Sequence, residues 1–231
     1  MKPRQTFKTI QMKRVTTIIC SIFLIAISAS CEPSNEDNKK AEASTQKEQT
    51  PVQTQMENGL KKAYFASGCF WCVEAIYESV NGVKEAISGY SGGKSQNPTY
   101  QNHADHAEAV EVIYDSSIVS FSQLLDVYFG SQNVTQVNGQ GPDRGSSYRS
   151  IIFYQNDSEK KIIEEKVERM NKKLNGEKVA AQILPFQKFW VAENYHQNYE
   201  KYNPDNPYIQ NVSIPRLNKF KSNFPELLKK E

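Results

Sequence analysis

From Leu60 onward the spacing of apolar residues switches repeatedly between a period of two and a period near 3.6. A strand buries alternate residues and a helix buries a stripe at i, i+3 and i+4, so this switching constrains the fold more than any other feature. Lys61–Gly68 ends in AYFASG and reads as a short strand. Phe70–Val80 has helical spacing, with Val73, Ile76, Tyr77 and Val80 on one face. Val83–Tyr90 reads as a second strand, closed by the Gly-rich SGYSGG. Ala107–Tyr114 alternates as a half-buried strand does. Ser120 or Ser122 is placed to cap a helix running through Phe129. Ser147–Tyr154 reads as another strand. Asp157 or Ser158 is placed to cap a long amphipathic helix that turns Ile162, Ile163, Val167, Met170 and Leu174 inward and ends at Gly176. Ala180–Val191 reads as extended around Pro185. The tail reads as short helical pieces broken by Pro204, Pro207, Pro215 and Pro225. The order β-α-β-β-α-β-α-β predicts an α+β sheet packed by helices.

The first sixty residues follow neither period. Residues 15–30, VTTIICSIFLIAISAS, form one apolar run behind Lys13-Arg14, which is the secretory signal pattern. The run is short for a spanning helix. Ser28, Ala29 and Ser30 lead directly into Cys31, and the arrangement resembles a bacterial lipoprotein signal, in which that cysteine is lipidated and heads the mature protein. An uncleaved signal anchor is the alternative. Met12 is a second plausible start. Residues 32–58 are polar and lack aromatics, so they bury too little surface to offset ordering entropy and read as a flexible tether. The expected division is a signal peptide at 1–30, a lipidation site and tether at 31–59, and a catalytic domain at 60–231.

The charge follows the same division. The chain carries 28 Lys and Arg against 26 Asp and Glu. Five of the basic residues, and no acidic one, lie in residues 1–30, so the remainder has a net charge of −3. The folded part has no overall basic bias, and no nucleic-acid partner is expected. Four cysteines exclude a disulfide-stapled miniprotein.

The chemistry centres on Gly68-Cys69-Phe70-Trp71-Cys72. Three readings fit the spacing. A structural zinc half-site would need His103 and His106 as further ligands. A structural disulfide across so small a loop constrains the unfolded chain very little. Redox chemistry suits the position best. Cys69 falls where a strand gives way to a helix, and the free N–H groups there stabilise a thiolate. Cys72 lies one turn on, within reach of whatever forms on Cys69. Phe70 and Trp71 suit an apolar pocket for a small nonpolar group.

GCFWCVEA resembles the active-site motif of the peptide-methionine (S)-S-oxide reductases. GYSGG (Gly89–Gly93), NPTY (Asn97–Tyr100), HAEAVEVIYD (His106–Asp115), GPDRGSSYRS (Gly141–Ser150) and AENYHQNY (Ala192–Tyr199) follow in that family's order. The resemblance covers about residues 62–215. It implies a two-layer α/β sandwich with a ferredoxin-like β-α-β-β-α-β core and an irregular C-terminal tail. It implies that Cys69 attacks the sulfoxide sulfur, that Phe70 and Trp71 cup the methyl group, and that Glu108 supplies the proton to the sulfoxide oxygen. It further implies that Tyr100 and Tyr148 hydrogen-bond that oxygen, and that Asp143 and His196 support the pocket. QNHAD stands where the family has a longer loop, and His103 is left without a role.

Those residue types suit the reaction. Sulfoxide oxygen leaves poorly until protonated, and a carboxyl in a desolvated aromatic pocket keeps its proton near neutral pH. Attack releases methionine and leaves a sulfenic acid on Cys69, which condenses with a thiol. Many relatives carry a resolving cysteine near the C-terminus. Here no cysteine follows Cys72, so Cys72 takes that part. No bound cofactor or metal is expected. An external thioredoxin-like dithiol reductant, oxidised proteins carrying methionine-S-sulfoxide, and a membrane reached through lipid on Cys31 are the expected partners of a monomer in the bacterial cell envelope. A tethered thiol-disulfide exchanger and a non-catalytic surface lipoprotein are the competing classes.

Overall fold

The computed structural model describes residues 49–103 and 105–230. The predicted signal segment and Cys31 lie outside the described residues. The main elements are β1 (Leu60–Ala66), α1 (Phe70–Glu78), β2 (Val83–Ser91), β3 (Ala107–Asp115), α2 (Phe121–Gly130), β4 (Gly139–Gln140), β5 (Asp143–Arg144), β6 (Ile151–Tyr154), α3 (Asp157–Asn171), β7 (Gln182–Pro185), β8 (Phe189–Val191), α4 (Tyr199–Tyr202) and α5 (Ile214–Asn223). Six strands form one sheet in the order β7-β6-β1-β3-β2-β8. The β6–β7 pair is parallel and the other four pairs are antiparallel. The class is therefore a mixed sheet with helices packed on it.

Period-two alternation sorts the strand residues into two clusters. Ala63 and Phe65, Val110, Val112 and Tyr114, and Ile152 and Tyr154 join the larger one, where α1 contributes Val73, Ile76 and Tyr77 and α2 contributes Leu124, Leu125 and Tyr128. Tyr64 and Ala66, Ala107 and Ala109, and Ile151 and Phe153 join a second cluster with Phe186. There the Tyr64 and Phe186 rings stack at 3.8 Å. β3 is thus buried along both faces, not half-buried as its alternation suggested, because the chain after β7 covers the face away from α1. Each large apolar side chain so buried contributes about 1.5–3 kcal/mol.

Several boundaries differ from expectation. Ser120, not Ser122, caps α2, and Gln123 returns the bond in a capping box. Asn156 caps α3 by accepting the Glu159 N–H, in place of Asp157 or Ser158. α3 stops at Asn171, so Leu174 and Gly176 lie beyond it; only Ile163 is fully buried. Residues 146–148 form a 3₁₀ turn ahead of β6. Pro215 does not break the tail helix: residues 209–213 form a π turn that runs directly into α5, and that irregular turn stands just ahead of the missing Pro N–H. The extended 180–191 segment is two strands, β7 and β8, on opposite edges of the sheet.

The end of the predicted tether is docked. Val52 N–H donates to the Phe186 carbonyl across 2.8 Å. The Thr54 N–H and hydroxyl both donate to Gln155 Oε1, and Gln187 donates to the Thr50 carbonyl. Hydrogen bonds to the backbone and to polar side chains, rather than apolar burial, order this stretch. Among the described residues no helix is long and apolar enough to cross a membrane.

Candidate active site

Three pieces of the fold converge on the start of α1. β1 ends at Ala66, and Gly68 turns the chain with φ +78°, a conformation that favours glycine. A Cβ at Gly68 would also meet Gln140 Cβ at 2.5 Å. The turn leaves Cys69 as the N-cap of α1. Register places Glu108 at the head of β3, opposite Tyr90 of β2 and on the face that carries Val110 and Val112. Glu108 therefore rises beneath the open end of the helix. Its Oε2 accepts the Phe70 N–H at 3.0 Å.

Glu108 is 2% exposed. Burial pushes its carboxyl up to about 8, against the opposing pull of the Phe70 N–H; the charges of Asp143 and Cys72 add to the rise. It holds a proton at neutral pH.

The two cysteines are reduced and buried. Burial pushes the Cys69 thiol up, and the hydrogen bond it shares with Cys72 pushes the same way. That bond pulls the Cys72 thiol down, helped by the Arg216 charge and the Ser213 and Tyr208 hydroxyls. These directions run against the expected stabilisation of a Cys69 thiolate, and the helix-end N–H of Phe70 is spent on Glu108.

An aromatic wall stands beside Cys69. Phe70 is fully buried and packs against His196 at 5.0 Å and Tyr90 at 5.8 Å between ring centroids. Trp71 is half-buried, stacks on Tyr199 at 3.8 Å, and donates from Nε1 to His196 Nδ1 at 3.1 Å. Trp71 can only donate there, so the His196 proton sits on Nε2, which is buried without a hydrogen-bond partner among the described residues. Burial pulls the His196 imidazole down, which keeps it neutral. Tyr100 packs on His196 at 4.4 Å. Tyr100 and half-buried Tyr148 are both raised, first by burial and next by the Glu108 charge.

Asp143 lies on β5 and accepts the Tyr208 hydroxyl at 2.6 Å; that hydroxyl stands 3.8 Å from Cys72 Sγ. A groove of about 930 Å³, lined by Cys72, Asp143, Gln140 and Arg216, opens on this side. The nine positions expected from the sequence thus converge: Cys69, Phe70, Trp71, Cys72, Tyr100, Glu108, Asp143, Tyr148 and His196. The zinc reading fails on geometry. His106 is held by the Gly93 N–H and the Ser95 carbonyl, and His103 by Tyr100 and Ser147.

Other members escaped sequence reasoning. Glu193 accepts from the Tyr90 hydroxyl and the Tyr100 N–H. Glu74, 2% exposed, accepts from the Ser88 hydroxyl and the Asn198 N–H, and burial pushes it up to about 7. Glu193 and Tyr199 lie within the AENYHQNY motif and so were within view. Tyr208 and Arg216 come from the Pro-rich tail, where no local pattern marks them.

The comparisons agree with this geometry. The family model described as "Peptide methionine sulfoxide reductase" matches residues 61–228. The chain is 42% identical over 173 residues to peptide methionine sulfoxide reductase MsrA of Pasteurella multocida, covering 73% of this chain and 99% of that one. It is 40% identical over 171 residues to the MsrA of Sulfolobus acidocaldarius, covering 72% and 97%. Among solved structures it is similar to reduced Mxr1 of Saccharomyces cerevisiae, with a TM-score of 0.60 and 30% identity over 65% of this chain and 90% of that one. The chain belongs to the peptide methionine sulfoxide reductase family, as an enzyme of the MsrA kind.

Proposed function

We propose that the chain reduces methionine-S-sulfoxide, free or in proteins, through a sulfenic acid on Cys69 that Cys72 resolves. The observation that carries this reading is the buried Glu108 carboxyl fixed to the Phe70 N–H beside Cys69, where burial favours its protonated form. The methyl group rests against Phe70 and Trp71, and the oxygen faces Glu108, Tyr100 and Tyr148. Cys69 sulfur attacks the sulfoxide sulfur as Glu108 delivers its proton to the oxygen, and the Cys69 thiol proton passes to Glu108 in exchange. The sulfur–oxygen bond of the substrate then breaks, its hydroxyl is transferred to the Cys69 sulfur as S–OH, and methionine leaves with the electron pair. The Cys72 thiol then displaces that hydroxyl as water, forming the Cys69–Cys72 disulfide. An external thioredoxin-like dithiol protein takes up the disulfide by exchange and restores both thiols.

The strand order β6-β1-β3-β2, antiparallel throughout, supports a ferredoxin-like β-α-β-β-α-β core beneath this site. For location, the signal-like run, the small residues before Cys31 and the polar 32–48 segment support a lipid-anchored enzyme that repairs oxidised proteins of the cell envelope. Activity is tested by incubating the domain with dabsylated methionine sulfoxide and dithiothreitol and resolving the products by chiral chromatography. The S epimer is expected to be consumed and the R epimer to remain. Equal loss of both epimers would reject the stereochemical assignment.

A further inference from the structure

His103 sits in the short segment between Tyr100 and His106, and no step above uses it. Its ring stacks on Tyr90 at 5.2 Å with an interplanar angle of 12°. Its Nδ1 lies 3.1 Å from the Tyr100 carbonyl oxygen, and its Nε2 lies 2.8 Å from Ser147 Oγ. A carbonyl only accepts, so Nδ1 carries the proton and Nε2 accepts the Ser147 hydroxyl. Tyr100 belongs to an irregular loop, yet both its peptide groups are held by side chains. Glu193 takes its N–H at 2.9 Å and His103 takes its carbonyl. Tyr90 joins the two, because its ring carries His103 and its hydroxyl donates to Glu193 at 3.0 Å. Ser147 immediately precedes Tyr148 in the turn at 146–148. One imidazole therefore bridges the two segments that bear Tyr100 and Tyr148.

We propose that His103 is a positioning residue that sets the spacing between Tyr100 and Tyr148 around the sulfoxide oxygen. The proposal rests on the reading of those two tyrosines given above. Oxyanion-type stabilisation depends on donors standing at the place where charge develops, and a misplacement of about 1 Å costs on the order of 10²-fold.

The test compares His103→Phe, which keeps a ring against Tyr90 but loses both bonds, with His103→Asn, whose amide nitrogen takes the place of Nδ1. Ser147→Ala removes the second bond from the other side. The readouts are the single-turnover rate at saturating methionine-S-sulfoxide, KM, and Tm. His103→Phe should lower the saturating rate by about 10–100-fold with KM changed by less than about threefold. His103→Asn should recover part of that rate, and Ser147→Ala should match His103→Asn. Adding Tyr148→Phe to His103→Phe should cost much less than Tyr148→Phe costs alone, since the hydroxyl is already displaced. A lower Tm with an unchanged saturating rate, or full additivity with Tyr148→Phe, overturns the assignment. If Tyr100→Phe and Tyr148→Phe are themselves silent, the tyrosine reading falls and this proposal falls with it. If they are effective and His103→Phe is silent, only the His103 assignment falls. Should His103→Phe fail to fold, His103→Asn and Ser147→Ala give the same decision.

Discussion

The Phe70 N–H donates to Glu108 Oε2 across 3.0 Å, so the first residue of α1 is tied to the head of β3. The bond joins residues 38 positions apart and places the buried acid beside the N-cap cysteine. It also consumes a helix-end donor that would otherwise favour a thiolate on Cys69. Burial keeps the proton on Glu108 and pushes the Cys69 thiol up with it.

Glu108→Gln keeps the size and the acceptor for Phe70 but lacks the acidic proton. General acid catalysis contributes about 10²–10⁴-fold, so the single-turnover rate should fall by that order. In the parent enzyme the same rate should decline as pH rises through about 8, where Glu108 loses its proton. The Glu108→Gln rate should lack that limb. A loss below about threefold would return Glu108 to a structural role.

Stability should fall with rising pH over the same range. Burial raises Glu74 to about 7 and Glu108 to about 8, and it raises Glu78, Glu159 and Glu200 as well. A carboxyl raised in the folded state favours folding fully below its ordinary value, and that contribution is lost as pH rises through the folded value. Tm measured between about pH 5 and about pH 8.5 should therefore drop, since carboxyls titrate near 4 when unfolded. Glu74→Gln should flatten the slope; an unchanged slope would show that Glu74 does not titrate there.

Gly68→Ala forces a side chain into a left-handed turn and against Gln140. Gln140 cannot easily yield, because it bonds the Asn133 N–H, the Asn133 carbonyl and Gln132. A cost of about 1–3 kcal/mol is expected in denaturant unfolding, with reduced activity from a displaced Cys69. An unperturbed midpoint would show that the turn relaxes freely.

Cys31→Ser should move the protein from the membrane fraction to the soluble one, or leave it unprocessed, without changing the activity of the domain. Stable attachment takes more than one acyl chain, so the intact mass of the native protein should begin at Cys31 and carry several. An unmodified Cys31 behind a retained 12–30 run would identify a signal anchor instead.

The element order was legible because period-two and period-3.6 patterns survive in single segments, as in FWCVEAIY and AEAVEVIY. Helix ends were less legible. Asn156, Asp157 and Ser158 all cap well, and only the backbone decides among them. The burial of both faces of β3 was hidden, because Ala107 and Ala109 are small enough to look like solvent-side positions until Phe186 covers them. The site residues within motifs were legible by type. The opposite pushes on the Cys69 and Cys72 thiols were not, because burial, Glu108 and Arg216 act on the pair from elements far away in sequence. Tyr208 was missed for the same reason, and so was Glu74 although it stands inside GCFWCVEA: their roles exist only through partners from other elements.

The most direct test of the central claim uses Cys72→Ser, one equivalent of methionine-S-sulfoxide, and dimedone. Intact and peptide mass are read together with methionine yield. One methionine per enzyme and a dimedone adduct confined to Cys69 are expected, with none formed from the R epimer. Methionine formed without any adduct on Cys69, or normal turnover of Cys72→Ser with a thioredoxin-like reductant, would contradict it.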